Sequence, residues 1–149
     1  MVKQAQRRAD TKRWILDCSR KLFLEHGYAG TSTQMILSES GLSKGAVYHH
    51  FDSKAEIFEQ IFVETSLQAI TKAGTSISAQ GGSDIERIKA ASFAWLYQIR
   101  EDEVATILLK LGPEALGWSR ARELENAQSL PPLKAGLDEF FERLERQSG

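Results

Sequence analysis

The segment Thr31 to Lys54, TSTQMILSESGLSKGAVYHHFDSK, leaves this chain few folds to choose from. Ser40-Gly41-Leu42 breaks it into two short stretches that both carry apolar residues. The spacing predicts a helix over 33–39, capped by Thr31 or Ser32, and Thr31 with Gln34 has the interval of a capping box. It predicts a second over 44–50, with Ser43 as its N-cap. Two short helices joined by a glycine-containing turn of three to four residues make a helix-turn-helix. Gly41 stands where that turn needs a residue without a Cβ clash. Met35, Ile36, Leu42, Val47 and Phe51 can then pin both helices to the helix that precedes them.

The rest of the chain also reads helical, and sustained period-2 alternation is absent. Ile15, Cys18, Leu22 and Phe23 form an apolar stripe on a first helix over 10–26, with Gly27 suited to a left-handed cap. Ser53 and Glu56 open a long helix running to Ala73, and a loop covers Gly74 and 78–82. Ser83 and Glu86 open the next helix, with Ile85, Ile88, Ser92, Trp95 and Ile99 on one face. Val104 to Leu111 suggests a short helix stopped at Gly112-Pro113. A weaker helix covers 118–128, and Pro131-Pro132 restarts the chain into a last amphipathic helix with Leu133, Leu137, Phe140, Phe141 and Leu144.

Composition narrows the class. The chain has 149 residues, 42% hydrophobic and 26% charged, an ordinary globular balance. No apolar run approaches the ~20 residues of a membrane span, and the polar start, 1–13, is no secretory signal. The single cysteine, Cys18, lies on an apolar stripe and reads as core filling in a reducing cytoplasm. The net charge of −1 conceals an asymmetry. Residues 1–54 hold nine Lys/Arg against five Asp/Glu, and residues 55–149 hold ten against fifteen. A basic third on an acidic remainder suggests that the first part meets a polyanion.

The chemistry concentrates on the outer face of the second short helix. A helix ~10–12 Å across fits the major groove of DNA. Ser43, Lys44, Tyr48 and His49 supply donors there, and Gly45 lets the backbone approach closely. Lys44 is a point charge suited to phosphate or a guanine edge. His49 and His50 can donate ring N–H groups to phosphates. Lys54 with the N-terminus of the long helix favours a phosphate, and Thr33 can reach one from the other side. Lys3, Arg7, Arg8, Lys12 and Arg13 form a basic arm for backbone or minor-groove contacts. His49, His50 and Asp52 make a poor metal set, because neighbouring helical side chains diverge by about 100° and HExxH spacing is absent.

These residues carry a resemblance. Phe23, Gly27-Tyr28, the threonines at 31 and 33, then Gly41-Leu42-Ser43-Lys44-Gly45-Ala46-Val47-Tyr48-His49-His50-Phe51-Asp52-Ser53-Lys54 resemble the DNA-binding domain of the TetR family of bacterial transcriptional regulators. The resemblance implies an all-α fold. A three-helix helix-turn-helix domain, residues 1–54, is followed by a helical ligand-binding and dimerisation domain, residues 55–149. It places Thr33, Ser43, Lys44, Gly45, Tyr48, His49, His50 and Lys54 on DNA-contacting positions, with Gln34 and Ala46 beside them. It also implies a cytoplasmic homodimer on a palindromic operator, although the chain ends at Gly149, short for the family.

Phe62, Trp95, Leu96 and Trp118 read as either core or pocket. The resemblance favours a pocket, to which Thr65, Ser92, Ile107 and Leu111 would contribute, for a small and mainly apolar effector. The expected function is a ligand-released repressor. The alternative is a helical protein-interaction module without specific DNA binding. An enzyme ranks last, since no nucleophile–base pair, metal-ligand spacing or phosphate-binding glycine loop is present, and no cofactor is expected.

Overall fold

The computed structural model of the chain describes residues 2–78 and 83–148. Its elements in order are α1 (Val2–Gly30), α2 (Thr33–Ser40), α3 (Lys44–Tyr48), α4 (Lys54–Ser78), α5 (Asp84–Gln98), α6 (Asp102–Ala105), a π-helical turn (Thr106–Leu111), α7 (Gly112–Leu116) and α8 (Trp118–Ser148). Among the described residues there is no strand.

The expected all-α class holds, and several boundaries move. The basic arm is not a separate arm but the first turns of α1, which starts at Val2. Residues 2–26 contain no glycine or proline, and Ala, Gln, Arg and Lys favour helix there. Gly27 has φ +74 and ψ 172, so it kinks the end of α1 rather than closing it with a left-handed cap. Thr31 does not cap α2. Ser32 does, accepting the Met35 N–H, while Thr31 is fully buried. Ser43 caps α3 by accepting the Ala46 N–H at 3.2 Å. The capping box of Ser83 and Glu86 on α5 is complete.

Three expected breaks are absent. Gly74 lies inside α4, which runs on to Ser78; residues 79–82 of the expected loop lie outside the described residues. Gly112-Pro113 does not stop the chain, because Pro113 falls in the first turn of α7, where its missing N–H has no helical acceptor to lose. Pro131 and Pro132 lie within α8 rather than starting a new helix. Both are exposed, so the carbonyls they fail to serve can be hydrated.

One hydrophobic core joins these elements apart from α5. Ile15, Leu22 and Phe23 of α1 meet Ile57, Phe58, Ile61 and Phe62 of α4, with Ile36, Val47 and Phe51 from the helix-turn-helix and Ile107, Leu108 and Leu111 from the π-turn. Phe23 and Tyr28 each lie 5.3–5.7 Å from their aromatic neighbours, closing a three-ring cluster with Phe58. Cys18 is buried as core filling, and burial raises its thiol pKa.

The π-turn delivers the chain to Gly112, and Gly112 sits directly under Phe62, where a Cβ would overlap the ring. Its φ of −56 would suit any residue, so the glycine is required by space alone. Gly112→Ala is expected to destabilise the protein by about 1–3 kcal/mol through overpacking. Urea denaturation should show a lower midpoint with an unchanged slope.

Candidate nucleic-acid interface

Two short helices become a rigid unit through a few specific ties. Gly41 has φ +68 and ψ 13, the left-handed conformation that lets α2 turn into α3. The Trp14 indole N–H of α1 donates to the Ser40 carbonyl at 3.0 Å, fixing the end of α2. Lys21 of α1 pairs with Glu39 at 2.7 Å. Ile36 and Val47 enter the core, so the opposite faces turn outward.

On that outward surface Gln34, Ser43, Lys44, Gly45, Tyr48 and His49 are exposed, and Thr33, Ala46 and His50 are half-buried. Nothing lies within 4 Å of the Cβ that Gly45 lacks, so the outward face is open there. Lys44 Nζ stands 5.8 Å from the Tyr48 ring centre, which keeps both side chains on one side of α3. The His49 and His50 rings meet edge to face at 5.4 Å. Burial, then His49, Arg8 and Lys12, lower the pKa of His50. Arg8 and Lys12 of α1 thus lie close enough to the end of α3 to act on His50.

Two expected cations are engaged elsewhere. Arg13 donates to both carboxylate oxygens of Glu64 on α4, at 2.8 and 3.3 Å. Lys54 does not project from α4. Its Nζ donates to the Tyr28 carbonyl at 2.9 Å and the Thr31 carbonyl at 2.8 Å, and lies 4.2 Å from the Tyr28 ring centre. Trp14 and Thr31 are the positions that sequence reasoning did not single out for the site. The Thr31 hydroxyl proton lies within reach of the Gly27 carbonyl at 2.8 Å and the Leu22 carbonyl at 3.1 Å, which holds the kink shut.

The residues expected to line an effector pocket do not come together. Phe62, Thr65, Ile107 and Leu111 are buried in the core, and the Thr65 hydroxyl is taken by the Ile61 carbonyl and Arg20. Trp118 is 78% exposed and Leu96 52% exposed. Of the expected residues, only Ser92 and Trp95 line a cavity of about 520 Å³ between α4, α5 and α8. Its other walls are Ile70, Ala73, Pro132, Leu133, Leu137 and Phe140, with Arg87, Glu139 and Arg143 as charged members. The displacement has a physical cause: the apolar stripes of α4 and the π-turn seal against each other, and the open space lies a few turns farther along α4.

Arg20 of α1 bridges to the second half of the chain, donating to Thr65 Oγ1 and to Glu103 Oε1, both at 2.8 Å. Arg120 of α8 pairs with Glu59 of α4. No helix among the described residues is long and apolar enough to cross a membrane.

Residues 15–61 match the family model described as bacterial regulatory proteins, tetR family. The chain is 28% identical over 78 residues to the HTH-type transcriptional repressor AcnR of Corynebacterium efficiens, covering 52% of this chain and 39% of that protein. It is 35% identical over 60 residues to the HTH-type transcriptional regulator AcrR of Shigella flexneri, covering 40% and 28%. Thus the match spans well under half the length of either relative. A structure assigned to the TetR family from Mesorhizobium loti superposes with a TM-score of 0.71 at 21% identity, covering 95% of this chain and 71% of that one. A TetR-family regulator from Agrobacterium tumefaciens gives 0.58 at 20%, covering 91% and 74%. These two show a shared fold over nearly all of the chain. The capped α3 and its glycine turn fall inside residues 15–61, the segment that is similar to the tetR family of bacterial regulatory proteins.

Proposed function

We propose that the chain is a transcriptional repressor that docks α3 in the major groove of an operator and is released by a small apolar effector. The observation that carries this reading is the exposed row of donors on α3, held by a capped turn and buried apolar residues inside the segment that matches the family. Residues 1–54 form the DNA-binding part and residues 55–149 the regulatory part. Thr33, Gln34, Ser43, Lys44, Gly45, Ala46, Tyr48, His49 and His50 make up the contact face.

The effector site is the cavity between α4, α5 and α8. Its volume of about 520 Å³ suits a small organic molecule, and its mainly aliphatic and aromatic lining suits an apolar one. α4 connects the two sites: from Lys54 to Ile70 it rises ~24 Å at 1.5 Å per residue. An effector that binds better to one placement of α4 would shift the population towards it, by no more than its differential affinity. The protein acts in the cytoplasm and carries no cofactor.

Reading a palindromic operator requires two copies, with recognition helices about 34–36 Å apart. Leu130, Leu133, Leu137, Phe141 and Leu144 of α8 are all at least 41% exposed and recur at three- to four-residue spacing along α8. A second copy of the chain is the occupant proposed for that row. Phe141→Glu should leave the melting temperature of the protomer unchanged, because Phe141 is 56% exposed. It should also lower the mass seen by sedimentation; an unchanged mass removes this row from the interface.

Lys44→Ala tests the contact face. Titration of labelled duplex DNA over a series of salt concentrations should show weaker binding and a salt slope shallower by about one. Wild-type affinity and slope would remove Lys44 from the interface. A wild-type chain that binds no duplex at all would favour the interaction-module reading instead.

A further inference from the structure

We propose that Lys54 is a positioning residue, which sets DNA binding by holding the start of α4 to the start of α2 and does not touch DNA. This rests on the DNA-binding reading above. A lysine at the first turn of a helix, on the basic side of a helix-turn-helix, would by charge and place be a phosphate ligand. The structure gives its ammonium another occupation.

At Gly27 the backbone turns to φ +74 and peels away from α1, which aims the carbonyls that follow towards α4, the Tyr28 carbonyl still accepting the Thr31 N–H at 3.3 Å. Two of them, on Tyr28 and Thr31, receive the Lys54 ammonium at 2.9 and 2.8 Å. The Tyr28 ring lies 4.2 Å from the same nitrogen, and the ring itself is clamped against Phe23 and Phe58. Of the three ammonium protons, two serve carbonyls, and the charge rests on an aromatic face. Swinging the side chain out to a phosphate would leave two partly buried carbonyls without this donor. Ordinary counterion competition does not offset that loss.

The position of this tie gives it a mechanical role. Lys54 is the first residue of α4, and Thr31 directly precedes Ser32, the N-cap of α2. α2 carries α3 through the Gly41 turn, so the ammonium couples α4 to the recognition helix at one point. Movement of α4 along its axis is passed to α2 through this contact.

The test is fluorescence anisotropy of the full chain with a labelled random-sequence duplex over a series of potassium chloride concentrations, below the melting temperature of every variant. Lys54→Met should weaken binding about tenfold with a salt slope parallel to the wild type. Lys54→Arg keeps the charge, but its planar fork does not reproduce the two-carbonyl and ring geometry, so it should not restore affinity. If the methionine variant does not fold, Lys54→Gln keeps a donor for one carbonyl and gives the same comparison of slopes. A slope shallower by about one, or full recovery with arginine, would overturn the proposal and make Lys54 a phosphate contact. Lower thermal stability with unchanged affinity would overturn it too, leaving a purely structural tie. Failure of the DNA-binding reading looks different, because the wild-type chain itself would not bind.

Discussion

Helices of eight and five residues do not persist in water on their own, because nucleation costs more than so few hydrogen bonds return. The existence of α2 and α3 therefore depends on burying Ile36, Val47 and Phe51 against the apolar faces of α1 and α4. Those faces make the helix-turn-helix possible, and they also fix which side of α3 looks outward. With Val47 inward, Lys44 and Tyr48, one turn apart and adjacent to each other, are exposed. The recognition surface is a by-product of the core in this sense, and its geometry is only as precise as the packing of Phe23, Phe58 and Ile15 behind it.

The same core continues without a break into the second half of the chain through Phe62, Ile107 and Leu111. Around it, polar ties run between α1, α4 and α6: Arg20 to Thr65 and Glu103, and Arg13 to Glu64. α4 contributes to both ends, entering the helix-turn-helix core with Ile57 and lining the cavity with Ile70 and Ala73. A helix packed in this way transmits displacement because close-packed interiors resist compression. At Gly112, under Phe62, the π-turn lets the backbone come within ring distance of α4.

The local parts of this architecture were legible in the sequence, and the long-range parts were not. Ser43, Gly41 and Ser83 announce their caps and turn because those interactions span three or four residues. Thr31 misled, since its hydroxyl has two possible fates, and burial against Leu22 and Gly27 decided between them. Gly112-Pro113 and Pro131-Pro132 read as breaks by composition, yet position within a helical turn or exposure to water removes the penalty. The exposed residues of α3 could be read from the sequence pattern. The cavity could not, because Phe62 and Trp95 lie on equally apolar stripes, and only the packing of α4 against the π-turn separates core from open space.

Charge shows the same division between what a pattern announces and what packing decides. Residues 1–54 hold nine cations, which by count alone spread along the whole domain. In the folded protein four of them are occupied internally: Arg13 by Glu64, Arg20 by Glu103, Lys21 by Glu39, and Lys54 by two carbonyls. The other five, Lys3, Arg7, Arg8, Lys12 and Lys44, have no acidic partner among the described residues and lie on the first turns of α1 and the outer face of α3. The effect of Arg8 and Lys12 on His50 shows that these two groups share one field. Folding thus concentrates the free positive charge at one end of the helix-turn-helix and neutralises the rest in place. A polyanion approaching the chain meets a focused patch rather than a diffuse excess, and that patch includes the exposed donors of α3.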